Sequence, residues 1–370
     1  MTVALQGLED AKLLLKPLLY KVYCSELFMK KNIFKRGAIT TKGFTLVELM
    51  IAMSIGLVLF AGVISIFIGM RTTTAETSSY GELQENGRFA IAVLTDDLLR
   101  QNFWGEYSGI LSSNELLSIP EDPPGNDCAG VAGGLNNATF PNGIGPFRTL
   151  WGQTIVAGAL DPLGCFAMPV GTETAVGSDV IQLKRVRANP VPQANLIPGN
   201  FYLTSNTIEA GIFLQGQQIP IISGSQLWQY QHHVYYVRNV TFGASTVPVL
   251  MQGQLINGNM VFAPVIDGIE RISFMYGIDT DIDTESIGYG VVDAYVSAGV
   301  MNDNLWNNSN SRILAIKIFV LSRAAVEDRD YFNTNTYLLG NVPFVVNDRF
   351  RRLLFSTTVT LYNNGVESWQ

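Results

Sequence analysis

From Leu49 to Met70 no charged side chain interrupts 22 residues, and this run constrains the chain more than any other feature. As a helix it spans roughly 33 Å, enough to cross a hydrocarbon core of about 30 Å. Lys30, Lys31, Lys35, Arg36 and Lys42 precede it. The positive-inside rule therefore keeps the residues before 44 in the cytoplasm and places the remainder across the inner membrane, in the periplasm. A secretory signal fits badly, because the apolar run is long, starts directly after the basic region and is followed by no small-x-small cleavage site. On this feature alone, a plain membrane anchor stays open.

Charge is divided unevenly. The net charge of −7 conceals a basic stretch over 1–43 and a strongly acidic body after it, which is a poor nucleic-acid binder. No basic stripe with interleaved aromatics and no phosphate-cradling loop is present. Within the first stretch, Glu9, Asp10 and Glu26 precede Met29, whereas Met29 opens MKKNIFKRGAITTKG, a compact basic leader without acids; translation is expected to start at Met29. That start removes Cys24 and leaves Cys128 and Cys165 in a body outside the cytoplasm. Two cysteines in an oxidising compartment suggest one disulfide, contributing about 4 kcal/mol on the chain-entropy estimate.

The junction Lys42-Gly43-Phe44-Thr45-Leu46-Val47-Glu48 resembles the processing site of type IV prepilins and of type II secretion pseudopilins. The resemblance implies that a membrane peptidase cleaves after Gly43 and methylates the new amino terminus, Phe44, leaving Glu48 at the fifth mature position. Elementary electrostatics points the same way for Glu48. A charged carboxylate inside an apolar helix costs several kcal/mol in lipid unless a cation meets it. The free amine of Phe44 on a neighbouring subunit could supply that cation in a packed filament.

Leu83, Ile91, Leu94 and Leu98 recur at helix-like steps, so the helix is expected over 44–101, with 44–70 as the membrane and filament-core segment. Ala52, Ser54, Gly56, Ala61, Gly62, Ser65 and Gly69 permit close helix approach. Many major pilins have a helix-bending Pro here; this sequence has none, leaving Gly62 and Gly69 as soft points. Beyond residue 101 a globular head is expected, with a Pro/Gly/Asn loop region near 120–146 that holds Cys128. Strand-like runs follow at 179–187, 226–238, 271–278, 312–323 and 352–362. In the last, Leu353, Phe355, Thr357, Val359 and Leu361 share one face. The fold class read from this is α+β and pilin-like: a long N-terminal α-helix packed on an antiparallel β-rich C-terminal head.

The stretches ELQENGRFAIAVLTDDLLRQNFWG (82–105), FMYGIDTD (274–281) with VVDAYVSA (291–298), LAIKIFVLSRA (314–324) and FSTTVTLYNN (355–364) resemble the PilW family of minor pilins, related to J-type minor pseudopilins. The resemblance implies a low-abundance subunit that helps initiate pilus assembly and sits near the tip. Its partners would be other minor pilins, the major pilin, the prepilin peptidase, an inner-membrane assembly platform and a large tip-associated protein. Before assembly it would be a single-pass inner-membrane protein; afterwards it would lie on the pilus at the cell surface. A J-type pseudopilin and a pilus-tip binding module are the alternatives.

Asp279, Asp281, Asp283 and Glu285 alternate as the oxygen ligands of a calcium loop would. The match fails in detail: counting from Asp279, Thr284 stands where an EF-hand needs Gly and Gly290 where it needs Glu, and the competing reading is a solvated acidic turn. His232 and His233 are the only histidines and, as strand neighbours, point to opposite faces. Trp228, Tyr230, Tyr235 and Tyr236 read as sheet packing. No Gly-x-Ser-x-Gly, HExxH or CxxC occurs, so neither an enzyme nor a resident cofactor is expected.

Overall fold

The computed structural model describes residues 43–130, 136–143, 147–166, 168–243, 245–281, 283–307 and 311–364. The leader reading, with Cys24, Met29 and the five cations, lies outside the described residues.

Helix α1 spans Leu46–Leu99, 54 residues, and runs unbroken through Gly62 and Gly69. It starts two residues after the expected position, where Thr45 caps it. The chain forms two compact units that meet between Ile68 and Gly69, so α1 contributes to both. In the first unit every described side chain is exposed, and the apolar stretch, of mean hydropathy 2.6, has no protein cover.

In the second unit the remainder of α1 becomes amphipathic. Leu83, Gly87, Ala90, Leu94, Asp97 and Leu98 are buried, at the three- and four-residue steps of one helix face. Each fully buried leucine contributes about 2 kcal/mol relative to exposure. Gly87 permits the closest approach: a Cβ there would lie 2.1 Å from the Phe355 ring.

Among the described residues the head carries fourteen strands: β1 Leu150–Thr154, β2 Thr172–Thr174, β3 Asp179–Val186, β4 Phe201–Ser205, β5 Ala210–Leu214, β6 Gln226–Phe242, β7 Ser245–Ile256, β8 Asn259–Asp267, β9 Ile269–Asp279, β10 Ala294–Ser297, β11 Arg312–Arg323, β12 Thr336–Leu339, β13 Val342–Val345 and β14 Arg352–Thr360. A short helix, α2 Asp303–Trp306, precedes β11. Every pairing between these strands is antiparallel.

The first sheet is organised around β6. At 17 residues, this strand is long enough to pair with β4 near its start (Leu203↔Trp228), β3 along its middle (Ile181↔Tyr235), and β7 and β2 toward its end (Val240↔Val247, Thr172↔Val240). β7 turns into β8 through Asn257 and Gly258, at φ 49° and 72°, a left-handed pair that suits a two-residue hairpin. Gly268, at φ 78°, then takes the chain from β8 into β9 and the second sheet, ordered β10-β9-β11-β14. In β14 the Phe355 and Val359 face turns inward, while Leu354, Ser356, Thr358 and Thr360 are exposed.

The main core joins Leu94 and Leu98 of α1 to Val180 and Leu183 of β3, Val234 to Val237 of β6, Phe274 and Tyr276 of β9, and Ile316, Ile318 and Val320 of β11. A second cluster gathers Trp104, Phe140, Phe201, Trp228 and Tyr230. A disulfide between Cys128 and Cys165, both buried, closes a step of 37 residues and ties the loop region to the segment before β2.

Candidate assembly site and the helix anchor

The start of α1 is a reciprocal cap. The Glu48 N–H donates to Thr45 Oγ1 at 3.2 Å, while the Thr45 N–H and hydroxyl both donate to Glu48 Oε2 at 3.1 Å. This is the Thr-x-x-Glu capping box, in which two orphan donors of a helix end are satisfied at once. The spacing was present in the sequence, yet Glu48 was read for its charge alone. One carboxylate oxygen is thus occupied locally, and Oε1 makes no hydrogen bond among the described residues. Phe44 is 86% exposed, and a Cβ built on Gly43 would meet nothing within 4 Å. Gly56, Gly62 and Gly69 are equally open, leaving their flank of the helix available for close approach by another helix.

At its other end α1 is anchored by buried charge. Asp97 Oδ1 accepts from Arg185 Nε at 2.8 Å; Asp97 Oδ2 lies 2.5 Å from His233 Nδ1 and accepts from the Tyr235 hydroxyl at 2.9 Å. Burial opposes ionisation of Asp97, but His233 and Arg185 outweigh it and hold the carboxyl well below the usual carboxylate range. Burial, followed by the Asp97 charge, pushes the Tyr235 phenol far up, so it stays a donor. A second anchor lies near the helix midpoint, where the Arg351 guanidinium reaches Glu76 at 3.0 Å, the Tyr80 hydroxyl at 3.1 Å and Asp328 at 2.8 Å. Neither cluster was legible beforehand, because an acid within one turn of Arg100, as Asp97 is, reads as part of a solvated face.

The histidines separate as expected of strand neighbours. His232 faces away from α1 into a buried polar group, with Nδ1 2.9 Å from Thr139 Oγ1 and Nε2 3.2 Å from Gln182 Oε1. Burial, with Lys184 next, pushes its pKa down, so the ring is a neutral core histidine.

The acidic turn is rearranged relative to the calcium reading. Asp279 and Asp281 approach Asp293, with ligand oxygens within 4.8 Å of one another. Asp283 and Glu285 are not in that group; Asp283 Oδ1 accepts the Glu285 N–H at 3.0 Å. The buried carboxylate of Asp279 already has its cation, Arg312 at 2.7 Å, and accepts N–H groups from Gly290 and Asp281. An ion pair closes this turn, and Asp293 was the member missed because it lies across the β9–β10 connection.

An exposed apolar helix opened by Thr45 and Glu48, then buried by one face on an antiparallel head, defines the class of prepilin-like proteins. Residues 40–64 match the family described as "Prokaryotic N-terminal methylation motif". Residues 234–363 match the family described as "Type IV Pilus-assembly protein W", so over this part the chain is similar to the PilW family of type IV pilus assembly proteins. That is a structural pilin family, which implies a non-enzymatic protein with pilin and peptidase partners. No curated protein and no solved structure matches the chain.

Proposed function

We propose that the chain is a minor pilin: cleaved between Gly43 and Phe44, methylated on Phe44, and drawn from the inner membrane into a pilus in whose initiation it takes part, near the tip. The observation that carries this reading is the uncovered apolar half of α1 opening on the Thr45–Glu48 cap. Leaving the bilayer costs about 25 cal/mol for each Å² of apolar surface exposed to water, so such a helix must pass directly from lipid into packed neighbours. The cap survives cleavage, because Thr45 and Glu48 both lie downstream of the cut bond. Glu48 Oε1 is then free to meet the Phe44 amine of an adjacent subunit, neutralising two charges in a medium that penalises either alone. The neighbours would be other minor pilins, the major pilin and a large tip-associated protein, delivered by the inner-membrane assembly platform. Quantifying pili sheared from cells lacking the chain tests this reading. Loss of surface pili with retained major pilin in the membrane, restored by the wild-type chain and traceable as a substoichiometric component of the filaments, is expected. Normal piliation without the chain would overturn it.

A further inference from the structure

On the head, where β4, β6 and the Asn257–Gly258 turn meet, lies a cleft of about 330 Å³, at the small end of ligand pockets, which run from about 300 to 1,000 Å³. Its polar lining is Asn200, Gln229, Gln231, His233, Gln254 and Asn257, with Tyr230, whose hydroxyl donates to the Thr139 carbonyl, and three aliphatic side chains beside them. No carboxylate, ammonium or guanidinium lines it, so a cation finds no counter-charge there.

The amides are not free rotors. Gln231 Oε1 accepts from Arg185, which leaves its Nε2 as a donor. Gln254 Nε2 donates to Gln252 Oε1 at 2.6 Å, which leaves its Oε1 as an acceptor. Asn200 Oδ1 accepts the Asn257 N–H at 3.2 Å, which leaves its NH₂ as a donor. His233 is held through Nδ1 by Asp97, so Nε2 is its remaining ring nitrogen. The Gln229 and Asn257 side chains make no hydrogen bond among the described residues. The floor therefore offers donors and acceptors of fixed sense in a partly apolar cleft, at low reorganisation cost. Vicinal hydroxyls, each donor and acceptor at once, on a ring with an apolar C–H face match that lining.

We propose that this cleft is a binding site for a neutral saccharide, of monosaccharide or disaccharide size, with Gln229, Gln254 and His233 as its principal hydrogen-bonding groups. The inference stands on the head alone and does not depend on the filament reading.

The test uses the full chain in a zwitterionic micelle, because sugar-headed detergents would compete. Free glucose, galactose, mannose, N-acetylglucosamine, N-acetylgalactosamine, lactose and maltose are screened by saturation-transfer NMR and titrated. At least one should bind, and Gln254→Leu and Gln229→Leu should each weaken it about tenfold, the cost of losing one or two placed hydrogen bonds. Gln193→Leu, at an exposed position outside the cleft, should leave binding unchanged, and unaltered Trp fluorescence should show that each variant is folded. Absence of binding across the panel, binding that survives both cleft variants, or preference for sialic acid or inorganic phosphate over every neutral sugar would overturn the proposal.

Discussion

Replacing Asp97 with Ala removes the one carboxylate that satisfies Arg185, His233 and Tyr235 together. The Asp97 and Arg185 side chains are only 5% and 7% exposed, so water cannot take over the lost contacts. Breaking one partner out of a buried ion pair costs about 3–5 kcal/mol, and a domain of this size shifts its Tm by about 2–4 °C for each kcal/mol. The expected fall is therefore about 6–20 °C, read from the intrinsic fluorescence of Trp104 and Trp228 on heating. Hydrogen exchange should localise the damage, with amides of 83–98 losing protection before those of β9 and β11. The double variant Asp97→Leu with Arg185→Met should lose less than Asp97→Ala, since no unpaired guanidinium is left behind. A loss below about 1 kcal/mol for the single variant, the value of an exposed pair, would refute the reasoning. A double variant as damaged as the single one would too.

The same carboxyl makes the head acid-sensitive. Its folded pKa lies below the ordinary value of 3.8, so its contribution is complete above that value and is lost as pH falls toward the folded pKa; Asp97→Asn should flatten the stability profile below about pH 4. Gly87→Ala should destabilise the unit, because strain against Phe355 of about 1–3 kcal/mol outweighs the roughly 1 kcal/mol gained in helix propensity. In a Phe355→Leu background the same change should stabilise, as equilibrium urea unfolding would show. Paired Cys128→Ser and Cys165→Ser should cost about 4 kcal/mol by the same measurement. Glu48→Gln keeps the capping box but removes the charge, so it should be processed normally yet assemble poorly; normal pilus counts would discard the charge pair and leave Glu48 as a cap.

What sequence alone revealed followed from periodicity. The apolar run, the 83–98 face and the alternation of β14 each repeat one element's period over enough residues to exceed noise. β6, β9 and β11 were visible for the same reason, although β6 runs four residues further than expected because Val240 and Phe242 pair with β7. The short strands β4 and β5 escaped notice because both are buried on nearly every residue, which erases alternation. β7 and β8 were missed although Asn257-Gly258 is a strong hairpin signal. The acidic turn misled by counting along the chain, whereas Asp293 arrives through strand pairing. Asp97 was illegible for a similar reason: its partners come from β3 and β6, 88 and 136 residues away.

The central claim is that the bond after Gly43 is cut and the helix beginning at Leu46 enters a filament. Intact mass and N-terminal sequence of the chain, from cells with and without the prepilin peptidase, test it most directly. N-methylated Phe44 found only when the peptidase is present is the predicted result. A chain that keeps its leader in both strains would contradict the account and leave a membrane-anchored periplasmic head in its place.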